Sequence, residues 1–101
     1  MKGSERADLR AEAHHLMVTV HVGQHGITEA VAKALDDVLR THELVKCQVA
    51  KGGELSAKAA ANALALRAEA EVIQVIGRTC TLYRHNPELH KKPGALPPWK
   101  R

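Results

Sequence analysis

Short β-branched runs alternate along this chain with longer segments whose apolar residues recur at helical spacing, and this alternation limits the possible folds. In residues 17–22 valine stands at every second position, which predicts a strand with one buried face. In residues 28–41 the apolar residues recur every three or four positions, which predicts an amphipathic helix. Because a strand–helix–strand unit joins parallel strands through a crossover, the alternation predicts an α/β fold.

The complete pattern predicts the element order α-β-α-β-α-β-β. The predicted helices span residues 5–16, 28–41 and 55–69, and the predicted strands span residues 17–22, 43–50, 71–76 and 79–84. Ser4, Thr28 and Ser56 are the predicted N-caps of the three helices. The dipeptide Gly77-Arg78 predicts a hairpin turn between the last two strands. The expected architecture is therefore a mixed four-stranded sheet with packed helices.

The length and composition predict one small intracellular domain. A chain of 101 residues has room for one core, and a monomer is expected. No stretch of about 18 apolar residues is present, and the N-terminus lacks the apolar segment of a secretory signal, so we expect a cytoplasmic protein without a membrane contact. In that compartment Cys47 and Cys80 are expected to be free, buried thiols.

The positive charge is concentrated at the C-terminus. The net charge is +4, and residues 85–101 hold four basic residues and one acidic residue, so residues 1–84 are nearly neutral. We therefore predict a domain over residues 1–84 and a flexible, basic, proline-rich tail over residues 85–101. The tail could add contacts to a polyanion, or it could only increase solubility. The chain has no Phe, which argues against RNA binding by a sheet of exposed rings.

The motif Gly23-x-x-Gly26 is the sharpest candidate site. It lies between a predicted strand and the predicted start of a helix. Glycines let a ligand approach the backbone closely, and a helix N-terminus offers free N–H groups and the positive end of the helix dipole. The motif therefore predicts a phosphate contact, including the backbone phosphates of RNA. The alternative is a tight turn that needs glycine for its backbone conformation.

The sequence gives little indication of metal binding or catalysis. His14, His15, His21 and His25 lie close together in sequence, but no paired-histidine metal motif is present, so no metal or cofactor is expected. No candidate nucleophile stands in a Gly-x-Ser-x-Gly elbow, and no Walker A motif is present. We therefore do not expect an enzyme.

An ordered series of strings resembles the YhbY-like, or CRM-domain, family. The matching strings are residues 9–16, 20–28, 42–46, 74–78 and 82–84, and the resemblance covers about residues 5–84. It implies a fold similar to the C-terminal domain of translation initiation factor 3. It also implies an RNA-binding ribosome assembly factor, because bacterial members of the family associate with precursors of the large ribosomal subunit. The alternative is a protein-interaction module that docks on a ribosomal protein.

The resemblance also implies which residues contact RNA. The family's proposed contact is the GxxG loop, and the basic surface beside it would contain several Lys and Arg residues. The predicted RNA-binding residues are Gly23, Gln24, His25, Gly26, Thr28, Arg6, Arg10, Lys46, Arg78 and Arg84. The partners implied are ribosomal RNA and the precursor of the large subunit.

The chain departs from the family pattern at two places. The family loop usually carries a Lys between its glycines, whereas this chain has Gln24 and His25. This removes a fixed positive charge, which a protonated His25 would partly replace. The family usually has a Gly where the third helix ends, whereas this chain has Glu69-Ala70. We therefore expect this helix to end differently from the family pattern.

Overall fold

A four-stranded sheet organises the computed structural model, which describes residues 2–91, 94 and 96–100. The helices are α1 (Gly3–Ala13), α2 (Glu29–His42) and α3 (Ala57–Ala68), and the strands are β1 (Val20–Val22), β2 (Leu44–Val49), β3 (Glu71–Ile76) and β4 (Thr79–Tyr83). Two 3-10 turns follow, at Pro87–His90 and Pro98–Lys100. The predicted element order and the mixed α/β class are confirmed.

The strand order β1-β2-β4-β3 places β2 in the interior of the sheet. β1 pairs with β2 in parallel, with Val20 opposite Cys47 and Val22 opposite Val49. β4 pairs in antiparallel fashion with both β2 and β3. Because β1 and β2 run in the same direction, the helices that follow them, α2 and α3, begin at the same end of the sheet.

The core lies mainly between α2, α3 and one face of the sheet. Its buried residues are Val20, Val22, Leu35, Leu39, Val45, Cys47, Val49, Ala60, Ala61, Leu64, Cys80 and Leu82. Burial of each large aliphatic side chain contributes about 1.5–3 kcal/mol. α1 covers part of the other face, where Leu9, Leu44 and Ile73 are buried and Leu16, Tyr83 and Trp99 pack against them.

Two of the three predicted N-caps are confirmed. The Thr28 hydroxyl accepts a hydrogen bond from Val31 N at 3.2 Å, and the Ser56 hydroxyl accepts one from Ala59 N at 3.1 Å. The predicted cap at Ser4 is wrong, because α1 begins at Gly3 and Lys2 occupies the N-cap without a side-chain bond. The Lys2 carbonyl already accepts the Arg6 amide, so the first turn closes upstream of the Ser4 hydroxyl.

The first helix and strand are shorter than predicted. α1 ends at Ala13 rather than at residue 16, because the amides of His14, His15 and Leu16 bond to carbonyls only three residues back. β1 pairs only from Val20, whereas the prediction began at residue 17. Such tight turns form when a helix end packs onto a sheet, and the local pattern does not show them.

The described part of residues 85–101 contacts the domain. Asn86 Nδ2 donates a hydrogen bond to Arg40 O at 2.6 Å. The Trp99 ring meets the Tyr83 ring edge-to-face at 5.6 Å between centroids. The flexibility predicted for this segment remains a prediction, and Lys92 and Arg101 lie outside the described residues.

The two cysteines face each other across β2 and β4. Cys47 lies opposite Cys80 in the register, and both are fully buried and free. A hydrogen bond with Cys80 and burial together raise the pKa of the Cys47 thiol, so this thiol stays protonated. Among the described residues no helix has the length and hydropathy needed to cross a membrane.

At the end of α3, Glu69 adopts the backbone conformation for which the resembled family usually has a glycine. α3 ends at Ala68, and Glu69 adopts a left-handed conformation with φ +55° and ψ +42°. This conformation closes the helix normally, because Glu69 N donates to Ala65 O. A residue with a Cβ reaches this conformation at a cost of roughly 1–2 kcal/mol.

We expect Glu69→Gly to stabilise the protein by about 0.5–1 kcal/mol, because glycine removes that cost but adds entropy to the unfolded chain. Urea unfolding gives the free energy. The matched control is Ala63→Gly, at an exposed position inside α3, which should destabilise by about 1 kcal/mol. If Glu69→Gly destabilised the protein as much as the control does, the left-handed helix end would be refuted.

Candidate nucleic-acid interface

The GxxG loop forms a tight turn at the end of β1. Gly26 N donates a hydrogen bond to Gly23 O at 3.1 Å, and Gly26 has φ +77°. This left-handed backbone conformation favours glycine, so the turn itself explains the glycine at position 26. Gly23, Gln24 and His25 are exposed, whereas Gly26 is buried. The loop therefore presents backbone and two polar side chains to solvent, which is also what a phosphate contact requires.

The loop leads directly into the N-terminus of α2. The Thr28 hydroxyl is used to cap the Val31 amide, and the preceding helix amides have no partner within the helix. Unpaired amides and the positive end of the helix dipole attract anions at this position. The Thr28 hydroxyl is therefore already used within the protein, where it fixes the start of α2.

A second loop, residues 50–56 between β2 and α3, lies against the GxxG loop. Ala50 N donates to Val22 O at 2.8 Å, which joins the ends of β1 and β2. At Gly53 an added Cβ would come within 3.3 Å of the Gln24 Cα, so the two loops touch through their backbones. Ser56, the cap of α3, is the last residue of this second loop. Two helix N-termini thus begin beside the GxxG loop.

Two unpaired basic residues lie at this end of the sheet. Val49 N donates to Arg78 O at 2.8 Å, which places the β3–β4 hairpin beside the end of β2. Lys51 follows β2 directly in the second loop. Both side chains are exposed, and neither forms an ion pair with a carboxylate of the described residues. Glu54 adds one negative charge to the second loop.

Arg6 and Arg84 lie at the opposite end. Arg84 donates to Ala68 O at 2.8 Å and pairs with Asp36 Oδ1 at 2.9 Å, so it joins α3 to α2. Arg6 pairs with Glu71 Oε2 at 3.1 Å, at the start of β3. The register shows that these positions are separated from the GxxG loop by the length of the strands. The structure therefore does not bring them together with the loop.

Lys46 and Arg10 occupy the side of the sheet that α1 partly covers. Lys46 is half-buried, and its Nζ donates to Ala13 O at 3.3 Å, at the C-terminus of α1. Arg10 is exposed on α1. Beyond the end of α1 the sheet forms a cleft of about 300 Å³, which is lined by Ala13, His14, Lys46, Gln74, Ile76, Thr79 and Thr81. This cleft opens toward the end of the sheet that carries the hairpin.

Strand register places a polar surface on this face that the sequence analysis missed. His21 lies opposite Gln48, Gln48 lies opposite Thr79, and the adjacent row runs Lys46, Thr81, Gln74. The sequence signal was present as polar residues alternating with buried valines, but it could not show which strands are neighbours. Lys51 was also missed, because the chain around it gave no reason to place it near residue 24.

A cleft of about 390 Å³ between α2 and α3 is poorly suited to a polyanion. Its charged residues are Glu29, Lys33, Asp36, Arg67, Glu69 and Arg84, which are three acidic and three basic side chains. Arg67 pairs with Glu29, and Arg84 pairs with Asp36. The cleft therefore carries no excess of positive charge.

Within the described part of the chain, one group of three residues could hold a metal ion. It consists of Glu43, His85 and His90, whose donor atoms lie within 4.8 Å of one another. The histidines considered from sequence, at positions 14, 15, 21 and 25, do not take part. The signal that could have indicated this group is a glutamate at the start of a buried strand, followed at a distance by two histidines five residues apart.

Comparisons with known proteins agree on one family. The model of the CRS1 / YhbY (CRM) domain matches residues 1–84. The chain is 31% identical over 88 residues to the "Probable RNA-binding protein YqeI" of Bacillus subtilis, covering 87% of this chain and 92% of the relative. It is 35% identical over 80 residues to the "RNA-binding protein" of Haemophilus influenzae, covering 79% and 81% of the two chains.

A solved structure has the same fold. The solution structure of the hypothetical protein SAV1595 from Staphylococcus aureus superposes with a TM-score of 0.74 at 31% sequence identity. The match covers 85% of this chain and 90% of that protein. The sheet and helices described above are therefore the shared part of both molecules.

We expect Gly53→Ala to displace the GxxG loop, because its Cβ would lie 3.3 Å from Gln24 Cα and 3.6 Å from Ala50 O. Overpacking of this kind costs about 1–3 kcal/mol. Amide chemical shifts of residues 23–26 should move, and urea unfolding should show the loss of stability. The control is Gly23→Ala, whose Cβ meets nothing within 4 Å. An equal loss of unfolding free energy in the two variants would show that the loops do not touch.

Proposed function

The chain belongs to the CRS1 / YhbY (CRM) domain family, and from this we propose that it is an RNA-binding protein that holds structured RNA through its phosphates. The names of its relatives in Bacillus subtilis and Haemophilus influenzae support RNA as the ligand. We propose further that the RNA is the precursor RNA of the large ribosomal subunit, in the cytoplasm. The protein's role is binding during assembly, without making or breaking a bond.

The observation that carries the proposal is the set of groups that lie together at one end of the sheet. The exposed GxxG loop leads into the N-terminus of α2, and the N-terminus of α3 lies beside it. A phosphate at Gly23 would meet backbone amides without a Cβ in the way, because an added Cβ there would contact nothing within 4 Å. Lys51 and Arg78 stand at the same end and are not neutralised by described carboxylates.

These two cations offset the missing loop lysine. Gln24 and His25 can donate hydrogen bonds but provide no fixed charge. Lys51 lies in the neighbouring loop and Arg78 lies in the β3–β4 hairpin. Two residues outside the GxxG loop therefore supply the positive charge that the family usually has within it. Binding through such contacts weakens as salt rises, because each phosphate contact releases counterions.

We therefore assign RNA contact to Gly23, Gln24, His25 and Arg78, and we add Lys51. Gly26, which is buried, and Thr28, which caps α2, act in this proposal by holding the loop and the start of α2 in place. Arg6 and Arg84 are better explained as parts of the fold, because their guanidinium groups bond to backbone carbonyls and carboxylates. The polar sheet face with His21 and Gln48 continues from this end and offers donors and acceptors to riboses or splayed bases. Lys46 and Arg10 lie along the same side of the sheet.

We expect Gly23→Asp to weaken binding to protein-free precursor ribosomal RNA by on the order of tenfold at low salt, because it adds a like charge beside the phosphates. Gly23→Asn is the matched control, since it has the same size without the charge and should bind far better than the Asp variant. Both fit the open space at Gly23. Binding is measured by fluorescence anisotropy at several salt concentrations.

The same variants test the ribosomal part of the proposal in sucrose gradients of cell lysate. The wild type should migrate with large-subunit precursors at low salt and leave them at high salt, and Gly23→Asn should keep more of this association than Gly23→Asp, because it adds bulk without charge. Gly23→Asp should stay at the top of the gradient. If all three bound free RNA poorly but still migrated with precursors, a protein contact would be responsible and direct RNA binding would be refuted.

A further inference from the structure

A buried carboxylate lies at the end of the sheet remote from the GxxG loop. Glu43 joins α2 to β2 with φ +62°, and its side chain is fully buried. The backbone on either side fixes its position, because Glu43 N donates to Leu39 O and Glu43 O accepts from Arg84 N at 3.0 Å. A carboxylate that is taken out of water needs a cationic partner or a metal ion.

The partners of this carboxylate are two histidines. His90 Nε2 lies 2.8 Å from Oε1 and 3.0 Å from Oε2, and His85 Nδ1 lies 3.3 Å from Oε2. Among the described residues no Lys or Arg side chain forms an ion pair with Glu43. The Asn86 amide also donates to Oε2, at 2.6 Å, so one oxygen is oriented by the backbone.

The two imidazole rings that contact Glu43 also contact each other. They stack with centroids 4.7 Å apart and an angle of 22° between their planes. One nitrogen of each ring faces the carboxylate of Glu43, so a single ion could accept a lone pair from each ring.

The donor atoms have the spacing of a metal site. Atoms that bind one Zn²⁺ at 2.0–2.1 Å in a tetrahedron lie roughly 3.3 Å apart. The two histidine nitrogens lie 2.8–3.3 Å from the carboxylate oxygens, and all three donor groups fall within 4.8 Å. We propose that Glu43, His85 and His90 form a site for a divalent transition-metal ion, with Zn²⁺ as the preferred class of ligand.

The surroundings suit an ion of this kind. His85 and His90 are 56% and 28% exposed, so an ion can enter and keep a water ligand in its remaining position. Two imidazoles with one carboxylate favour Zn²⁺ and similar ions over Ca²⁺ or Mg²⁺.

The site would tie the segment after β4 to the junction of α2 and β2. His85 and His90 follow residue 84, where the family match ends, so the site adds an attachment that the family domain by itself does not contain. It lies away from the proposed RNA contact, and its test is independent of RNA binding.

The test is titration of the full chain, purified without a histidine tag and treated with a chelator, with ZnCl₂ in a calorimeter. We expect one equivalent to bind. His85→Gln and His90→Gln should each weaken binding by more than about tenfold, which is at least the loss seen when an outer partner of a metal ligand is removed. His14→Gln and His42→Gln, exposed histidines outside the group, should leave the affinity unchanged.

CoCl₂ provides a second readout, because a cobalt ion held by this group absorbs visible light and reports its ligands. The wild type and the two control variants should give the same spectrum, and His90→Gln should lose it while circular dichroism shows an intact fold. Absence of Zn²⁺ binding by the wild type would overturn the proposal. So would equal losses in the control variants, because the ion would then be held by other histidines.

Discussion

The parallel pairing of β1 with β2 is the constraint on which the proposed binding surface depends. Two strands that run in the same direction deliver the chain to the same end of the sheet, and each strand is followed by a helix. The GxxG loop, the second loop and the N-termini of α2 and α3 are therefore neighbours. The antiparallel hairpin of β3 and β4 turns at this end as well, which adds Arg78.

The opposite end of the sheet is held by internal contacts. Arg84 bonds to the last turn of α3 and to Asp36 of α2, and Glu43 bonds to the segment that follows β4. Polar groups buried there are paired: within the described residues no buried side-chain nitrogen or oxygen lacks a partner. Arg84 and Glu43 thus hold elements together at one end of the sheet, whereas Lys51 and Arg78 at the other end form no ion pair with a described carboxylate.

Much of the fold could be predicted from the sequence, because it is encoded locally. The bounds of β3 agree with the predicted strand at residues 71–76, and the caps at Thr28 and Ser56 were recognisable from single residues. The sequence predicts a departure from the family pattern at the end of α3, yet Glu69 adopts the conformation that glycine would favour. The packing of Leu64 holds the helix in place, which offsets the local cost.

The grouping of charges could not be predicted, because it depends on strand order. Arg78 and Arg84 lie on either side of one strand and look equivalent in sequence, but they lie at opposite ends of the sheet. Gly53 and Gln24 are far apart in the chain and become neighbours only through parallel pairing, which brings the loop that contains Lys51 to the GxxG loop. Glu43 and His90 meet through the antiparallel pairing of β2 with β4, which places Leu44 opposite Tyr83 and which no local pattern specifies.

Amide chemical shifts of the ¹⁵N-labelled protein, followed during titration with a fragment of large-subunit ribosomal RNA, test directly where RNA binds. We expect the largest changes at residues 23–26, at Lys51 and at Arg78, with smaller changes at His21 and Gln48. Changes concentrated instead around Arg6 and Arg84, with residues 23–26 unaffected, would contradict this expectation. The RNA would then bind the end of the sheet that the structure uses for internal contacts.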